Sequence, residues 1–369
     1  MTSKRVIVAM SGGVDSSVAA LLLKKEGYDV IGVTLRLWSN TSDQNISANH
    51  RGCCSPEDVD DARQSCQVIG IPHYLLNAET EFKSHVIDHF VKEYARGRTP
   101  HPCLACNDRI KFDFLLQRAL LMEGDYIATG HYARTDLQQN LWCLLKGIDA
   151  TKDQSYVLHT LRQQELARTL LPIGHYQKSE IRDIAIKAGL PTANKPDSQD
   201  ICFIPSGDYR SFIKAYSTPS PGEITNSAGE VLGSHKGIEF FTVGQRRGIG
   251  INSDKPLFVL RVEAETRRVI VGTSKELLSG VLWASQVNYP GKEPETKVDV
   301  TVKIRYNARE VPAILEPHGD WAIIRLNEPQ KAITPGQPVA FYENDRLLGG
   351  GIIEGPGDPL LHMKAQTLS

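Results

Sequence analysis

The stretch VIVAMSGGVDSSVAALLLKKEGYDV, residues 6–30, decides the fold of the first half of the chain. Its apolar run Val6–Met10 predicts a buried strand, and the segment Ser16–Glu26, closed by Gly27, predicts a helix. Glycines between them let the backbone approach a ligand closely, and the N–H groups at a helix start favour an anion. A glycine turn with a capped helix would give the same pattern, so the stretch predicts a β-loop-α-β unit and leaves its ligand open.

Neither of the two common phosphate-binding fingerprints occurs in this loop. It lacks the lysine of the usual P-loop pattern G-x-x-x-x-G-K-[ST], and it lacks the spacing G-x-G-x-x-G of dinucleotide-binding loops. Alternating strand-like and helical segments continue to residue 129, which predicts a doubly wound parallel sheet. Ligands of such sheets lie beyond the carboxyl ends of the strands, so we place Gly130 and His131, which follow a predicted strand, at the site.

Composition narrows the class of protein. The chain has 369 residues, and none of its apolar runs approaches the roughly 20 residues that a membrane-spanning helix needs. Its seven cysteines, an odd number, and a start that runs directly into a strand predict a reducing, cytoplasmic location without a signal peptide or a disulfide framework. A net charge of −1 means that any contact with nucleic acid would use a local basic patch.

Three cysteines stand in segments with unusual composition. Cys103 and Cys106 form a C-x-x-C in the basic, proline-rich stretch Gly97–Phe112, and Cys202 lies in the short apolar patch Ile201–Ile204. A C-x-x-C is redox-active, metal-binding or simply buried, and a helix start beside arginines would favour the reactive thiolate. From the residues alone these three readings stay open. Beyond residue 216 the segments are short and rich in Val, Ile and Thr, which predicts hairpins or a barrel.

The motifs together resemble a known family. S-G-G-V-D-S resembles the pyrophosphate loop of ATP pyrophosphatases. The ordered series S-G-G-V-D-S, G-R-T-P-x-P-x-x-x-C-N, A-T-G-H-Y, K-D-Q-S-Y, D-S-x-x-I-C-F-I, G-Q-R-x-G-x-G and T-P-G-Q resembles the tRNA 2-thiouridylase family (MnmA) nearly end to end. The resemblance implies an ATP-binding catalytic domain of the PP-loop type at residues 1–205. It also implies a small middle domain at 206–280 and a tRNA-contacting β-barrel at 281–369.

The resemblance also implies the reaction and its site. The family uses ATP, with Mg²⁺, to adenylate C2 of the wobble uridine in Lys-, Glu- and Gln-type tRNAs, and replaces the oxygen by sulfur. Cys106 matches the nucleophile, and Cys202 matches the carrier of a persulfide delivered by a donor such as a cysteine desulfurase or a relay protein. The positions that match ATP contacts are Ala9, Met10, Ser11, Gly12, Gly13, Val14, Asp15, Ser16, Leu35 and Gly130.

A further set of positions matches tRNA contacts. They are His101, Pro102, Cys103, His131, Lys152, Asp153, Gln154, Arg305, Tyr306 and Gln337. The chain departs from one form of the family at Cys103, where an aspartate can stand. A thiol there opens a second mechanism, in which Cys103, Cys106 and Cys202 hold a 4Fe–4S cluster. Two other functions stay open: an ATP-dependent synthetase that amidates a metabolite, and a sulfur relay or tRNA-binding protein without catalysis.

Overall fold

The computed structural model describes residues 3–38, 55–197, 201–204 and 207–360. The chain divides into two compact units. The N-terminal unit comprises residues 1–87, 102–208 and 345–347, and the C-terminal unit comprises 88–101, 209–344 and 348–369. Within the described ranges, no helix is long and apolar enough to cross a bilayer.

A five-stranded parallel sheet forms the centre of the N-terminal unit. The strands of this unit are β1 (Arg5–Ala9), β2 (Asp29–Arg36), β3 (His73–Asn77), β4 (Tyr126–Ala128), β5 (Ala133–Gln138), β6 (Leu141–Lys146) and β7 (Thr169–Leu170). The sheet order is β3-β2-β1-β4-β7, and its neighbouring strands pair in parallel. The predicted α/β fold class is confirmed. The antiparallel hairpin β5–β6 was not predicted.

Helices flank this sheet, and two more of the described helices belong to the C-terminal unit. In chain order they are α1 (Val14–Lys25), α2 (Pro56–Ile69), α3 (Glu79–Phe82), α4 (Asp88–Ala95), α5 (Pro102–Ala105), α6 (Leu115–Leu121), α7 (Gln163–Leu166), α8 (Lys178–Lys187) and α9 (Tyr209–Tyr216). Short 3₁₀ turns cover Ser155–Leu158, Pro172–His175 and Ile238–Phe240, and π-helical segments cover Lys83–Ile87 and Cys106–Phe114. Residues 79–95 are thus helical with a π-helical interruption, and the π-helical segment Cys106–Phe114 runs directly into α6.

Local chemistry explains where the first helices begin and end. Helix α2 starts with a capping box, in which the Ser55 hydroxyl accepts from the Asp58 N–H and the Asp58 carboxylate accepts from the Ser55 N–H. It ends at Gly70, whose φ of 74° is left-handed, the usual helix terminator. Helix α1 packs Val14 and Val18 into a buried cluster with Tyr132, so hydrophobic burial fixes its orientation on the sheet.

The C-terminal unit is built from β-structure, as predicted. Its strands are β8 (Gly222–Asn226), β9 (Val231–His235), β10 (Phe258–Glu263), β11 (Arg268–Gly272), β12 (Leu278–Asn288), β13 (Val298–Lys303), β14 (Val311–His318), β15 (Trp321–Lys331), β16 (Pro338–Glu343) and β17 (Arg346–Pro356). Strands β8 to β11 form one four-stranded sheet. The order β12-β15-β14-β13-β16-β17 closes through a β12–β17 pairing into a six-stranded barrel, filled by side chains such as Leu282, Leu315 and Phe341.

Candidate active site

The order in which strands are added to the parallel sheet reverses between β1 and β4. This switch point locates the site. The chain leaves β1 towards β2 on one side and later adds β4 on the other, so the loops after β1 and β4 meet at one edge. Gly130, which follows β4, lies against the start of α1. A Cβ at Gly130 would be 2.7 Å from the carbonyl carbon of Asp15 and 2.7 Å from the Ser16 nitrogen. Only glycine fits there, which explains why the two motifs occur together.

The loop between β1 and α1 is closed against α2. Gly12 has a φ of +71°, and a Cβ on it would lie 2.2 Å from the Asp58 carbonyl oxygen. Gly13 has an extended backbone, and the nearest neighbour of a Cβ would be the Ser11 Oγ at 3.4 Å. Gly12 therefore allows the loop to pack closely against α2, and Gly13 leaves space on the other, open side of the loop.

Serine hydroxyls fix the conformation of this loop. Ser17 Oγ donates to the Gly13 carbonyl at 2.9 Å, and Ser16 Oγ donates to the same oxygen at 3.2 Å. The Ser11 N–H donates to Ser16 Oγ at 3.2 Å. Gly13 is the N-cap of α1 and provides no side-chain cap, so the first turn presents backbone N–H groups as an anion site.

Charged side chains surround the loop. The Asp15 carboxylate accepts from the Tyr132 hydroxyl at 2.7 Å and from the Lys178 ammonium at 2.7 and 2.8 Å. Lys178 also pairs with Asp197 at 2.9 Å, and Asp197 pairs with Lys152 at 2.7 Å. Burial by itself would raise the pKa of Asp197, but hydrogen bonds from Lys152 and Lys178 lower it to about 2.

A second lysine ties the loop to α2. Lys195 Nζ donates to the Gly12 carbonyl at 2.9 Å, to Asp58 at 2.6 Å and to Asp61 at 2.5 Å. Burial lowers the pKa of Lys195, but its hydrogen bonds to the two carboxylates outweigh that effect and raise it. Lys195 therefore stays charged and ties the Gly12 carbonyl to the two carboxylates of α2.

The other predicted ATP positions lie around the end of β1. Met10 is buried, and its N–H donates to the Val33 carbonyl at 2.8 Å, which extends the sheet by one bond. Leu35 is buried in β2 opposite Leu76 of β3. Ala9 ends β1. These three residues therefore shape the strand ends through backbone and packing, while the loop and Asp15 provide the polar groups.

The two predicted catalytic cysteines lie in segments that pack on the same helix. Cys106 is buried and begins the π-helical segment Cys106–Phe114, which packs against α3. Cys202 is partly exposed, and its neighbour Phe203 lies edge-to-face on Phe82 of α3 at 5.7 Å. Isolated π-helical turns are frequent at functional sites. Helix α3 is thus in contact with both segments within the N-terminal unit.

Cys103 differs from these two thiols. It lies in the short helix α5 with Pro102, and its side chain is exposed, whereas Pro102 is buried. Across the ranges that the structure describes, no group of three or more His, Cys, Asp or Glu side chains has an arrangement that could hold a metal ion. Cys103, Cys106 and Cys202 are all among the described residues and do not form such a ligand group, and the cluster mechanism stays a prediction.

The K-D-Q segment lies beside the glycine loop. Lys152 pairs with Asp197, as described above. Asp153 is buried and accepts from the Gly147 N–H at 3.0 Å and from Ser155 Oγ at 2.9 Å. The Gln154 side chain accepts from the Tyr132 N–H at 2.9 Å. Asp153 and Gln154 therefore fix the loop that positions Lys152 and the Tyr132 backbone.

His131 is enclosed. It is buried, its Nδ1 lies 2.7 Å from the Thr129 hydroxyl, and its ring packs against Phe112 at 6.0 Å. Burial, with a smaller contribution from the Lys111 charge, moves the pKa of His131 well below its usual value. The imidazole is therefore neutral at pH 7 in this structure.

The remaining predicted tRNA positions belong to the C-terminal unit. Gln337 Nε2 donates to the Thr99 carbonyl at 2.8 Å, which orders the backbone just ahead of His101. Arg305 is exposed, and it donates to the carbonyls of Lys331 and Ala332, the latter at 2.7 Å. The Tyr306 ring is exposed beside the Lys303 ammonium, 5.6 Å from its centroid. An exposed aromatic beside cations is suited to stacking with a nucleobase.

Comparison with known proteins agrees with this arrangement. Three family models match: the tRNA methyl transferase HUP domain over residues 4–206, the tRNA methyl transferase PRC-barrel domain over 210–273, and the aminomethyltransferase beta-barrel domain over 279–353. The tRNA-specific 2-thiouridylase MnmA of Natranaerobius thermophilus is 48% identical over 96% of this chain and 98% of its own length. The proteins of the same name from Moorella thermoacetica and Carboxydothermus hydrogenoformans are 49% and 47% identical, over 94% and 95% of this chain and 99% and 98% of their own lengths.

The chain belongs to the tRNA-specific 2-thiouridylase (MnmA) family. The predicted family assignment is confirmed by these matches, which cover nearly all of the chain. Members of this family are named as enzymes, and the fold described here supplies the α/β domain and barrel that the resemblance implied.

Four residues of the 2-thiouridylase candidate site were not predicted from the sequence. They are Tyr132, Lys178, Lys195 and Asp197. Tyr132 and Asp197 belong to the motifs A-T-G-H-Y and D-S-x-x-I-C-F-I, which are the sequence signal that could have located them. The two lysines lie in ordinary charged segments, and only the fold brings them to the loop.

Proposed function

We propose that this chain is an ATP-dependent tRNA sulfurtransferase that converts the wobble uridine of Lys-, Glu- and Gln-type tRNAs to 2-thiouridine. The observation that carries the proposal is the glycine loop at the switch point of the sheet, packed through Gly12 and Gly130, in a chain of the 2-thiouridylase family. The loop packs against α2 at Gly12 and is open at Gly13, which leaves room for a chain of phosphates. Cys106 and Cys202 are thiols of the kind that sulfur transfer requires.

ATP activates an oxygen in this proposal. The C2 oxygen of uracil is a poor leaving group, and transfer of AMP to it, with release of pyrophosphate, makes it a good one. The α1 N-terminus and the Gly13 side of the loop would take the phosphates, and the Asp15 carboxylate, in the first turn of α1, would hold the Mg²⁺ that accompanies ATP. Tyr132 and Lys195 hold Asp15 and Gly12 in position.

Sulfur then replaces the activated oxygen. A persulfide on Cys202 attacks C2 through its terminal sulfur, and AMP leaves with the original oxygen. The Cys106 thiolate attacks the inner sulfur of Cys202, which breaks the sulfur–sulfur bond of the persulfide and leaves the sulfur on C2. The product on the protein is a Cys106–Cys202 disulfide, and a thiol reductant supplies two electrons to reopen it.

In this proposal the chain has one catalytic domain, and the C-terminal barrel serves tRNA recognition. Residues 1–205 form the catalytic domain, 206–280 the middle domain and 281–369 the barrel that contacts tRNA. Arg305 and Tyr306 are exposed in that barrel and are suited to a phosphate and a nucleobase. The sulfur arrives from a cysteine desulfurase or a relay protein in the cytoplasm.

A thiolation assay with half-reaction readouts tests the proposal. Purified protein is given ATP, Mg²⁺, unmodified tRNA, and a cysteine desulfurase with cysteine, and 2-thiouridine is measured by mass spectrometry. Gly13→Val and Asp15→Ala should abolish ATP–pyrophosphate exchange, whereas Lys24→Met, on the exposed side of α1, should not change it. Valine suits the extended backbone of position 13, so that variant should fold.

The same assay separates the alternatives. A metabolite-amidating synthetase would exchange pyrophosphate without tRNA, and a non-catalytic relay would show no exchange under any condition. We expect exchange only with tRNA present. Normal exchange by folded Gly13→Val protein would contradict the assignment of the loop.

A further inference from the structure

The Lys178 ammonium lies between two carboxylates at the mouth of the glycine loop. Its Nζ donates to both oxygens of Asp15 at 2.7 and 2.8 Å and lies 2.9 Å from Asp197. The Lys178 side chain is only 12% exposed. Its backbone is fixed as well, because it is the first residue of α8 and its N–H donates to Asp149 at 3.0 Å.

The two carboxylates depend on Lys178 to different degrees. Asp197 is also paired with Lys152 at 2.7 Å and with Arg182 at 3.0 Å, so it keeps two cations if Lys178 moves away. Asp15 receives its other side-chain hydrogen bond from the neutral hydroxyl of Tyr132 at 2.7 Å. Among the contacts described here, Lys178 is therefore the cation that neutralises Asp15.

The Lys178 ammonium occupies a position where a cation would accompany bound phosphates. Asp15 stands in the first turn of α1, directly after the two glycines whose loop faces the proposed phosphates. A carboxylate there is available to a divalent cation only if the ammonium gives it up. A lysine can do so readily, because its flexible stem allows the charge to move by several ångströms while α8 stays in place.

We propose that Lys178 is a positioning residue that acts as an internal counter-ion: without nucleotide it neutralises Asp15, and Mg·ATP exchanges it for a divalent cation. This inference rests on the proposed ATP-dependent function. After the exchange the ammonium stays near Asp197 and faces the incoming phosphate oxygens. The exchange keeps the charge of the site close to balance in both states, and it makes binding of the metal alone weak, since the metal must compete with Lys178.

Metal binding without nucleotide tests this directly. Mn²⁺ is titrated into the full chain in the absence of ATP and followed by electron paramagnetic resonance. Lys178→Met should bind Mn²⁺ at least tenfold more tightly than wild type, because Asp15 is left without its counter-ion. Lys178→Arg, which retains the charge, should behave as wild type, and Lys178→Met combined with Asp15→Asn should lose the gain.

Lys187→Met is the matched control, since Lys187 is exposed at the other end of α8. It should leave Mn²⁺ affinity unchanged. If Lys178→Met fails to fold, Lys178→Gln replaces it, because glutamine retains a hydrogen-bond donor without the charge. Equal Mn²⁺ affinity in wild type and in the folded neutral variant would overturn the inference, as would an equal gain from Lys187→Met.

A separate calorimetric titration distinguishes failure of this inference from failure of the proposed function. Wild-type protein is titrated with the non-hydrolysable analogue α,β-methylene-ATP and Mg²⁺. Absence of analogue binding would contradict the ATP-dependent function itself, whereas analogue binding together with unchanged Mn²⁺ affinity in Lys178→Met would overturn only the counter-ion role. We expect analogue binding in wild type and, in Lys178→Met, weaker analogue binding together with tighter Mn²⁺ binding.

Discussion

Gly12 and Gly13 are neighbours in the sequence but should respond to substitution in opposite ways. Alanine at position 12 would have to adopt a φ near +71°, at a cost of about 1–2 kcal/mol. Its Cβ would also lie 2.2 Å from the Asp58 carbonyl oxygen, a backbone atom held by the capped α2. Relieving that overlap costs about 1–3 kcal/mol. Gly12→Ala should therefore lower the free energy of unfolding by about 2–5 kcal/mol.

Gly13→Ala should leave the fold intact and impair binding. The backbone at Gly13 is extended, with φ −102° and ψ 166°, and the nearest neighbour of a Cβ is 3.4 Å away, so we expect a stability change within about 1 kcal/mol. The added methyl group would stand on the open side of the loop, where the phosphates are proposed to lie. We expect its affinity for an ATP analogue to fall at least tenfold.

Urea unfolding, thermal melting and calorimetric titration of both variants check this contrast. The loss of stability in Gly12→Ala corresponds to a decrease in Tm of roughly 4–20 °C for a domain of roughly 200 residues. Equal melting of the two variants, or a Gly12→Ala protein as stable as wild type, would refute the assignment of Gly12 to packing and Gly13 to the ligand.

Three further predictions concern the C-terminal unit and the sulfur chemistry. Arg98, 18% exposed and paired with Glu93 at 2.6 Å and with both oxygens of Glu354, is a structural residue, so Arg98→Met should cost about 3–5 kcal/mol in urea unfolding. Arg96→Ala, which removes an exposed partner of the same Glu93, should cost less than about 1 kcal/mol. Burial lowers the pKa of His101 to about 4, so its contribution to stability is present above pH 6.5 and is lost as the pH falls towards 4. Between pH 7 and 5.5 wild type should therefore lose about 1 kcal/mol more than His101→Asn in urea unfolding, and equal losses would contradict the burial argument. Cys103→Ser should retain most thiolation activity in anaerobically purified protein while Cys202→Ser abolishes it; loss of activity together with loss of bound iron in Cys103→Ser would favour the cluster mechanism instead.

Much of the first domain could be predicted because its signals are local. The apolar run before the loop, the amphipathic segment after it and the closing Gly27 are enough to predict β1, α1 and their order. The π-helical segment Cys106–Phe114 could not be predicted, because an apolar periodicity does not distinguish an i→i+4 from an i→i+5 hydrogen-bond pattern. The sequence therefore indicated a helix near Cys106 without indicating its unusual start.

The charges of the site were harder to predict than its glycines. Lys178 and Asp15 are 163 positions apart, and Lys195 and Gly12 are 183 apart. Nothing in the local sequence of a lysine at the start of α8 distinguishes it from a solvated surface lysine. Such pairs depend on tertiary packing, because β4 lies between β1 and β7 in the sheet and the segment after β7 reaches the loop only through the packing of α8 on α1, where Ile181 and Ala185 share a buried cluster with Val18. Long-range ion pairs therefore require the topology, whereas backbone-determined positions such as Gly130 can be inferred from motifs.

His131 matches a family motif, but that match does not indicate the charge of its ring. The resemblance places this residue among tRNA contacts, and the sheet places it at the predicted strand end next to Gly130. Burial, with a smaller contribution from the Lys111 charge, lowers the pKa of His131 and makes the imidazole neutral at physiological pH. A neutral, enclosed ring cannot act as a cationic phosphate contact, so any role of His131 towards tRNA has to use a hydrogen bond rather than charge. Glutamine at this position should then preserve the salt dependence of tRNA binding, whereas loss of one charge contact would reduce its slope by about one. A reduced slope in His131→Gln would contradict the neutral state of the ring.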